Sequence, residues 1–172
     1  MQFGTLLLCI WSTGFINAGH WGFAISVNFI FMIVFTIIFE KLIPPVFLNK
    51  YFLPRSFERN GAIYLWFGVK YYKLLLRLIG WEKIIRKDQI IKKHLNSLIL
   101  YKIWTQRSEA IHLFASIYVF AFTIWIGWKY SIGDVYWLIL LNIIVNVYPV
   151  MLQRYNRIRV IRLLRYQKNT KE

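Results

Sequence analysis

The apolar residues of this chain fall in long, uninterrupted blocks rather than in alternating patterns. The first 39 residues contain no Lys, Arg, Asp or Glu, and Trp21 to Phe39 approaches the roughly 20 residues that a transmembrane helix needs. Phe3 to Ala18 forms a shorter apolar block, and a turn near Asn17 would join the two blocks in a hairpin. We expect two retained spans here rather than a cleaved signal, because no basic region precedes the first block.

Two further blocks, Ala110 to Trp128 and Val135 to Gln153, are each 19 residues long and carry no formal charge. The connection between them, Lys129 to Asp134, is too short for anything but a tight turn, so the two helices are predicted to be antiparallel neighbours. Aromatic residues gather at their ends, as at a membrane–water interface. The pattern therefore predicts an all-α integral membrane protein with about four transmembrane helices.

The segment between these hairpins is basic and amphipathic. Residues 40–109 hold 14 Lys and Arg against five acidic residues, and Tyr64 to Ile85 alternates aromatic and aliphatic residues with Lys and Arg. This alternation predicts amphipathic helices that lie in the membrane interface. We divide the chain into N-terminal spans (1–43), a basic interfacial segment (44–109), a transmembrane hairpin (110–153) and a basic tail (154–172).

Charge and composition agree with a multi-pass protein of the cell membrane. Hydrophobic residues make up 58% of the chain, and the formal net charge is +15. Residues 40–109 and the tail lie on the same side of the predicted hairpin and hold 21 of the 22 basic residues, so that side is predicted to be cytoplasmic. Because this charge adjoins the spans, membrane lipids and phosphate-bearing molecules are the expected partners, rather than nucleic acid.

Two polar clusters flank the predicted C-terminal hairpin. Glu109 and His112 stand three residues apart where its first helix begins, so their side chains share one face of a helix. Its second helix carries a stripe at spacings of four, three and four: Asn142, Asn146, Pro149 and Gln153. A bilayer tolerates such groups only where they are paired or functional. We expect the pair and the stripe to face each other at the cytoplasmic boundary, although such residues also serve as plain interhelical hydrogen bonds.

Several other chemistries lack their residues in this sequence. The three His and seven acidic residues are mostly far apart, and Glu109-x-x-His112 is only half of a carboxylate-bridged metal motif. Motifs of zinc proteases, serine hydrolases and P-loop proteins are missing as well. The single cysteine, Cys9, stands apart from the polar cluster. We therefore predict no metal site.

At these residues the chain resembles the glycosyl-4,4'-diaponeurosporenoate acyltransferases, small bacterial membrane enzymes of staphyloxanthin-type carotenoid synthesis. The resemblance extends over roughly Ile43 to Arg165, whereas Met1 to about Trp21 departs from the family pattern as an additional span. The residues that carry it are Ile43-Pro44, Ser56-Phe57-Glu58-Arg59-Asn60-Gly61, Arg107-x-Glu109-x-x-His112, Asn142-x-x-x-Asn146-x-x-Pro149-x-x-x-Gln153-Arg154-Tyr155-Asn156-Arg157-x-Arg159 and Leu163-Leu164-Arg165.

The resemblance implies transfer of a fatty acyl group to a sugar hydroxyl of a glycosylated carotenoid, without a bound cofactor and with an acyl-CoA or another acyl thioester as donor. Such a reaction needs a base for the hydroxyl proton and donors for the oxyanion. His112 fits the base, and Glu109 would orient its ring. No nucleophilic Ser or Cys lies nearby, which favours direct transfer. The candidates for substrate binding are Asn142, Asn146, Gln153, Arg154, Asn156, Arg157 and Glu58.

Two basic residues of this set, which follow the last span, are predicted to bind the acyl donor. Arg154 and Arg157 are expected at the mouth of the pocket, where the donor's phosphates would lie. Two alternatives remain open. The chain would show the same residues if it acylated another glycolipid, and a non-enzymatic anchor or assembly partner would also carry a polar stripe.

Overall fold

A computed structural model describes residues 21–41, 50–80, 95–129 and 132–169, and the regular elements within these ranges are helical. They are α1 (Trp21–Lys41), a 3-10 helix (Ser56–Gly61), α2 (Ala62–Trp66), α3 (Val69–Leu78), α4 (Leu95–Lys129), a second 3-10 helix (Ile132–Val135), α5 (Tyr136–Asn142), a π-helical turn (Ile143–Val147) and α6 (Tyr148–Asn169).

Within these ranges, three helical stretches are long and apolar enough to cross a membrane: Trp21–Lys41, Asn96–Lys129 and Tyr136–Gln167. They correspond to the second, third and fourth predicted spans. The first predicted span, Phe3 to Ala18, lies outside the described residues, so the count of four stays a prediction. The same holds for the cytoplasmic side assigned to the basic segments.

Helices α4 and α6 extend beyond the apolar blocks that predict them. α4 has 35 residues and begins at Leu95, well before Ala110. At 1.5 Å per residue it is roughly 50 Å long, whereas the hydrocarbon core is about 30 Å thick. α6 likewise continues past Gln153 to Asn169. The first charged residue marks the end of an apolar block and not the end of a helix, because Lys and Arg are good helix formers.

The contacts divide the chain into two compact units. The first comprises Met1–Leu42 and Ile111–Val147, and the second comprises Ile43–Ala110 and Tyr148–Glu172. In the first unit, rings of α1 pack against rings of α4. Phe35 lies between Phe114 and Tyr118, with ring centroids 5.8 and 5.0 Å away. Burial of such rings contributes both apolar area and favourable tilted geometry.

The second unit packs α2 and α3 against α6. Tyr64 and Val69 are buried with Leu152 and Ile158 in one apolar cluster. The opposite face exposes the large apolar side chains Leu65, Trp66, Phe67, Tyr71, Leu74, Leu75 and Leu78. Lys70 and Arg77 are exposed on α3 as well. This division of side chains is typical of helices that lie at a membrane surface; the predicted continuation from Trp81 to Ile85 lies outside the described residues.

A left-handed turn closes the 3-10 helix before α2. Arg59, Asn60 and Gly61 have φ values of 45°, 58° and 94°. Gly61 is required here for a second reason, since a Cβ at this position would lie 3.2 Å from Cδ2 of Tyr155. The position therefore combines a positive φ, which costs other residues energy, with a close approach of a side chain from α6.

We expect Gly61→Ala to lower the free energy of unfolding by about 1–2 kcal/mol from backbone strain, and further from displacement of Tyr155. Thermal unfolding in detergent measures the effect. Gly80→Ala is the matched control, because Gly80 also has a positive φ of 76° but its Cβ would meet nothing within 4 Å. Equal losses in the two variants would show that Tyr155 moves aside without cost.

Candidate active site

Seven of the nine predicted site residues fall into two clusters, one in each unit. His112, Asn142 and Asn146 belong to the first unit and form an amide cluster. The charged candidates belong to the second unit and form an ionic cluster, whose members are Glu58, Glu109, Arg154 and Arg157.

The amide cluster is centred on Asn146, which is fully buried in the π-helical turn. Its Nδ2 donates to Oδ1 of Asn142, 3.0 Å away, and to Oδ1 of Asn28 on α1, 2.8 Å away. Its Oδ1 lies 3.4 Å from Nδ1 of His112. Asn142 donates to the backbone oxygen of Ser116 at 3.1 Å, and Asn28 to that of Ala24 at 2.8 Å. Three helical segments thus meet through hydrogen bonds in apolar surroundings.

These bonds define which ring nitrogen of His112 carries the hydrogen. A backbone carbonyl only accepts, so Asn28 and Asn142 must turn their NH₂ groups to Ala24 and Ser116, and their oxygens to Asn146. Asn146 then presents NH₂ to both oxygens and its own oxygen to His112. A nitrogen that faces an acceptor donates to it, so the contact with Asn146 favours the tautomer with its hydrogen on Nδ1 and a lone pair on Nε2.

The π-helical turn supplies a further acceptor for the same ring. His112 also hydrogen-bonds the backbone carbonyl of Val145. In an α-helix that carbonyl would accept from the residue four positions on, which here is Pro149 and has no N–H. A proline therefore accounts for both features: its ring disfavours α geometry in the preceding turn, and it leaves the Val145 carbonyl available to His112. Single π-helical turns occur frequently at functional sites.

The ionic cluster pairs two carboxylates with two guanidinium groups. Nε of Arg154 donates to Oε1 of Glu58 at 2.5 Å, and its Nη1 donates to Oε1 of Glu109 at 3.1 Å. The second oxygen of Glu109 forms an ion pair with Arg157. All four side chains are at least nine-tenths buried. Buried charges persist only where they are paired, and this cluster is electrically balanced.

The segment before the 3-10 helix covers both arginines. The carbonyls of Tyr51 and Phe52 accept from Arg154 and Arg157, each at 3.2 Å. The ring of Tyr51 lies 4.7 Å from the guanidinium of Arg154, and that of Phe52 lies 4.9 Å from the guanidinium of Arg157. Glu58 receives two more hydrogen bonds, from the hydroxyl of Tyr64 and the backbone N–H of Arg55, both at 2.5 Å.

These contacts change the pKa values of groups that lie outside the candidate spans. Burial alone would raise the pKa of Glu58, but hydrogen bonds from Arg154, Tyr64 and the Arg55 backbone outweigh it and lower that pKa. Burial, followed by the negative charge and hydrogen bond of Glu109, raises the pKa of Tyr51 to about 12. Burial and the hydrogen bond to Glu58 raise the pKa of Tyr64 as well. Glu58 is therefore ionised, and Tyr51 and Tyr64 are neutral, near pH 7.

Three of the predicted site residues have partners other than those expected, and their roles stay predictions. Both oxygens of Glu109 are occupied by guanidinium groups, and the hydrogen-bond partner of the His112 ring is Asn146. Arg154 and Arg157 are buried against carboxylates, which does not favour the predicted contact with donor phosphates. The i, i+3 spacing of Glu109 and His112 allowed contact, but the stronger charge partners decided where the carboxylate binds.

Two substrate-binding candidates retain capacity for a ligand. Gln153 is buried, and within the described part of the chain its Oε1 has no hydrogen-bond partner. Asn156 is partly exposed on α6. Their contact with substrate stays a prediction.

Several residues of the two clusters were missed by sequence reasoning. Asn28 is an isolated amide in a charge-free span, and that isolation is itself a signal, since a polar group inside a membrane helix usually has a partner. Tyr51, Phe52 and Tyr64 gave no comparable signal, because aromatic residues are common throughout this chain.

Comparison with known proteins yields a family. A family model described as glycosyl-4,4'-diaponeurosporenoate acyltransferase matches residues 48–166, which contain both the ionic cluster and most of the amide cluster. No curated protein and no solved structure matches the chain. Asn28 lies before the matched residues.

Because the charge of Glu109 compensates two buried guanidinium groups, we expect Glu109→Gln to lower the free energy of unfolding. Removal of one partner from a buried ion pair typically costs about 3–5 kcal/mol. Unfolding in detergent measures the loss, and Glu40→Gln, at an exposed position of α1, is the matched control. A variant with wild-type stability but a lower kcat would restore Glu109 to the predicted catalytic role.

The low pKa of Glu58 predicts a loss of stability in acid. A carboxyl whose pKa is lower in the folded state stabilises the fold above its unfolded pKa, roughly 4.3, and this contribution disappears as the pH falls through the folded value. The midpoint temperature of unfolding of the wild type should therefore decrease as the pH is lowered below about 4. Glu58→Gln should make this decrease with pH shallower. An identical slope in both proteins would contradict the assignment.

Proposed function

Because the chain belongs to the glycosyl-4,4'-diaponeurosporenoate acyltransferase family, we propose that it transfers a fatty acyl group to a sugar hydroxyl of a glycosylated carotenoid. The three apolar helices support action within the cell membrane. The observation that carries the chemistry is the 3.4 Å contact between Nδ1 of His112 and the amide oxygen of Asn146, which favours a hydrogen on Nδ1 and a lone pair on Nε2.

In this mechanism, Nε2 of His112 accepts the proton of the sugar hydroxyl as the hydroxyl oxygen attacks the acyl carbonyl carbon. The tetrahedral intermediate then collapses, the bond to the leaving group breaks, and the imidazolium returns the proton to the leaving thiolate of a thioester donor. Asn146 accepts from Nδ1 throughout, which keeps the ring orientation and stabilises the imidazolium. Asparagine orients the catalytic histidine in some cysteine proteases as well.

The amide groups differ in what they can still donate. Both hydrogens of Asn146 Nδ2 are used, towards Asn28 and Asn142, so Asn146 positions the base and does not serve the oxyanion. Asn142 uses one hydrogen towards Ser116 and keeps the other. Of the two amides, Asn142 is therefore the proposed donor to the oxyanion or to the sugar.

The donor is proposed to be an acyl thioester such as an acyl-CoA, whose phosphates need cationic partners. Arg154 and Arg157 are neutralised, so this role passes to the exposed arginines of α6: Arg159, Arg162 and Arg165. Arg162 already donates to the backbone oxygen of Asn60, 3.1 Å away, which places one exposed guanidinium beside the left-handed turn. The basic segments are proposed to face the cytoplasm, where such donors occur.

We expect His112→Ala to reduce acyl transfer by about 10²–10⁴-fold, the usual contribution of a positioned acid–base group. The assay uses the purified protein in detergent, a glycosylated carotenoid and an acyl-CoA. His94→Ala is the matched control, because sequence analysis leaves His94 outside the candidate site. Wild-type activity in a folded His112→Ala protein would exclude this mechanism.

One observation also fits a non-enzymatic membrane protein, namely that the amide cluster is satisfied within the chain itself, as in an ordinary helix contact. A non-enzymatic function would be favoured if the folded protein showed no acyl transfer and if cells carrying His112→Ala had unchanged pigments. Lipid and pigment profiles of cells with and without the protein identify the acceptor. If only other glycolipids changed, one of them, and not the carotenoid, would be the acceptor.

A further inference from the structure

We infer that Asn28, on the N-terminal helix and outside the family-matched residues, is a positioning residue that fixes the tautomer of His112. The inference rests on the proposed function in that His112 is the base. Among the hydrogen bonds of the described residues, Asn28 is linked to the ring through Asn146, whose Nδ2 lies 2.8 Å from the Asn28 oxygen.

The argument starts from the shape of a carboxamide. Rotation of the Asn146 amide by 180° exchanges oxygen and NH₂ with almost no change in volume, so packing alone does not select one orientation. Two acceptors select it instead, because the oxygens of Asn28 and Asn142 both face the NH₂ group. A rotated Asn146 amide would place its oxygen against the oxygens of Asn28 and Asn142. This environment is buried and apolar, so lost hydrogen bonds are costly there.

Asn28 is itself held in one orientation. Its NH₂ donates to the carbonyl of Ala24 one helical turn earlier, which turns its oxygen towards Asn146. Other polar residues of α1 behave differently: the hydroxyls of Ser26 and Thr36 donate to carbonyls of their own helix, from Gly22 and Met32. Asn28 is fully buried, and its second functional group reaches beyond its helix.

Loss of the Asn28 oxygen would have a defined chemical consequence. One hydrogen of Asn146 would lose its acceptor, and rotation of the amide would become less costly. The rotated amide presents NH₂ to Nδ1 of His112, which raises the population of the tautomer that accepts at Nδ1 and carries its hydrogen on Nε2, against the Val145 carbonyl, which accepts from the ring in either case. That tautomer cannot take the hydroxyl proton at Nε2, although the substrate still binds.

The kinetic test compares Asn28→Leu with Asn28→Asp. Leucine removes the acceptor at similar volume, and we expect kcat to fall about tenfold at unchanged KM, the effect of one hydrogen bond of about 1.4 kcal/mol. A carboxyl group buried in an apolar helix is neutral, so it offers the same donor and acceptor as asparagine, and Asn28→Asp should keep most of the activity. Thr36→Val, on the same helix, is the matched control and should retain wild-type kcat.

A spectroscopic test reads the tautomer without reference to activity. In a protein carrying His20→Gln and His94→Gln, ¹⁵N-labelled histidine reports on His112 alone. We expect the Nδ1–H form in this background and a shift towards the Nε2–H form after Asn28→Leu. If Asn28→Leu does not accumulate, Asn28→Ser serves, because a serine hydroxyl can bond within its own helix, as Ser26 does, but is too short to reach Asn146.

The outcomes separate this inference from the proposed function. Wild-type kcat and an unchanged Nδ1–H population in Asn28→Leu would overturn the role of Asn28, even if His112→Ala abolishes acyl transfer. Activity that survives His112→Ala would overturn the proposed base, whereas the tautomer shift would still establish that Asn28 positions the ring.

Discussion

A polar group among apolar helices must find its partner inside the protein, and this constraint organises both clusters. Neither a buried amide nor a buried charge can rely on water, so every unmet hydrogen bond would cost more than it does at a surface. The first unit meets the constraint with neutral amides that satisfy one another and backbone carbonyls. The second meets it with two carboxylates and two guanidinium groups in equal number.

The two solutions suit different tasks. A neutral amide network holds a histidine without adding a charge that would compete for its proton, and it controls direction through the geometry of donors and acceptors. An ionic cluster controls position more strongly, because it links the segment from Tyr51 to Glu58 to α4 and α6 through charge-assisted bonds. Under the proposed function, the amide cluster is the reactive part, and the ionic cluster supports its own unit.

The apolar blocks were enough to predict the helices, because uncharged runs of about 20 residues have few other stable structures. Trp21–Lys41 and the helices around the short turn after Lys129 follow directly from them. The candidate residues were also found by their polarity. Their pairing was not: Glu109 has His112 at helical spacing, and only tertiary structure shows that Arg154 and Arg157 are its partners. Helix ends beyond the apolar blocks were missed because the signal used was hydropathy.

The π-helical turn of Ile143–Val147 acts on the residues that follow it, as well as on the ring that it contacts. Such a turn accommodates one additional residue, so everything after it is rotated by about 100° relative to an uninterrupted α-helix. A helical wheel, which assumes 3.6 residues per turn throughout, therefore does not apply across this turn. Because the turn absorbs that residue, deletion of a single apolar residue within it would give an uninterrupted α-helix with the flanking sequences in the same phase, whereas the same deletion inside α6 would rotate every later residue of α6, its arginines included, by about 100°.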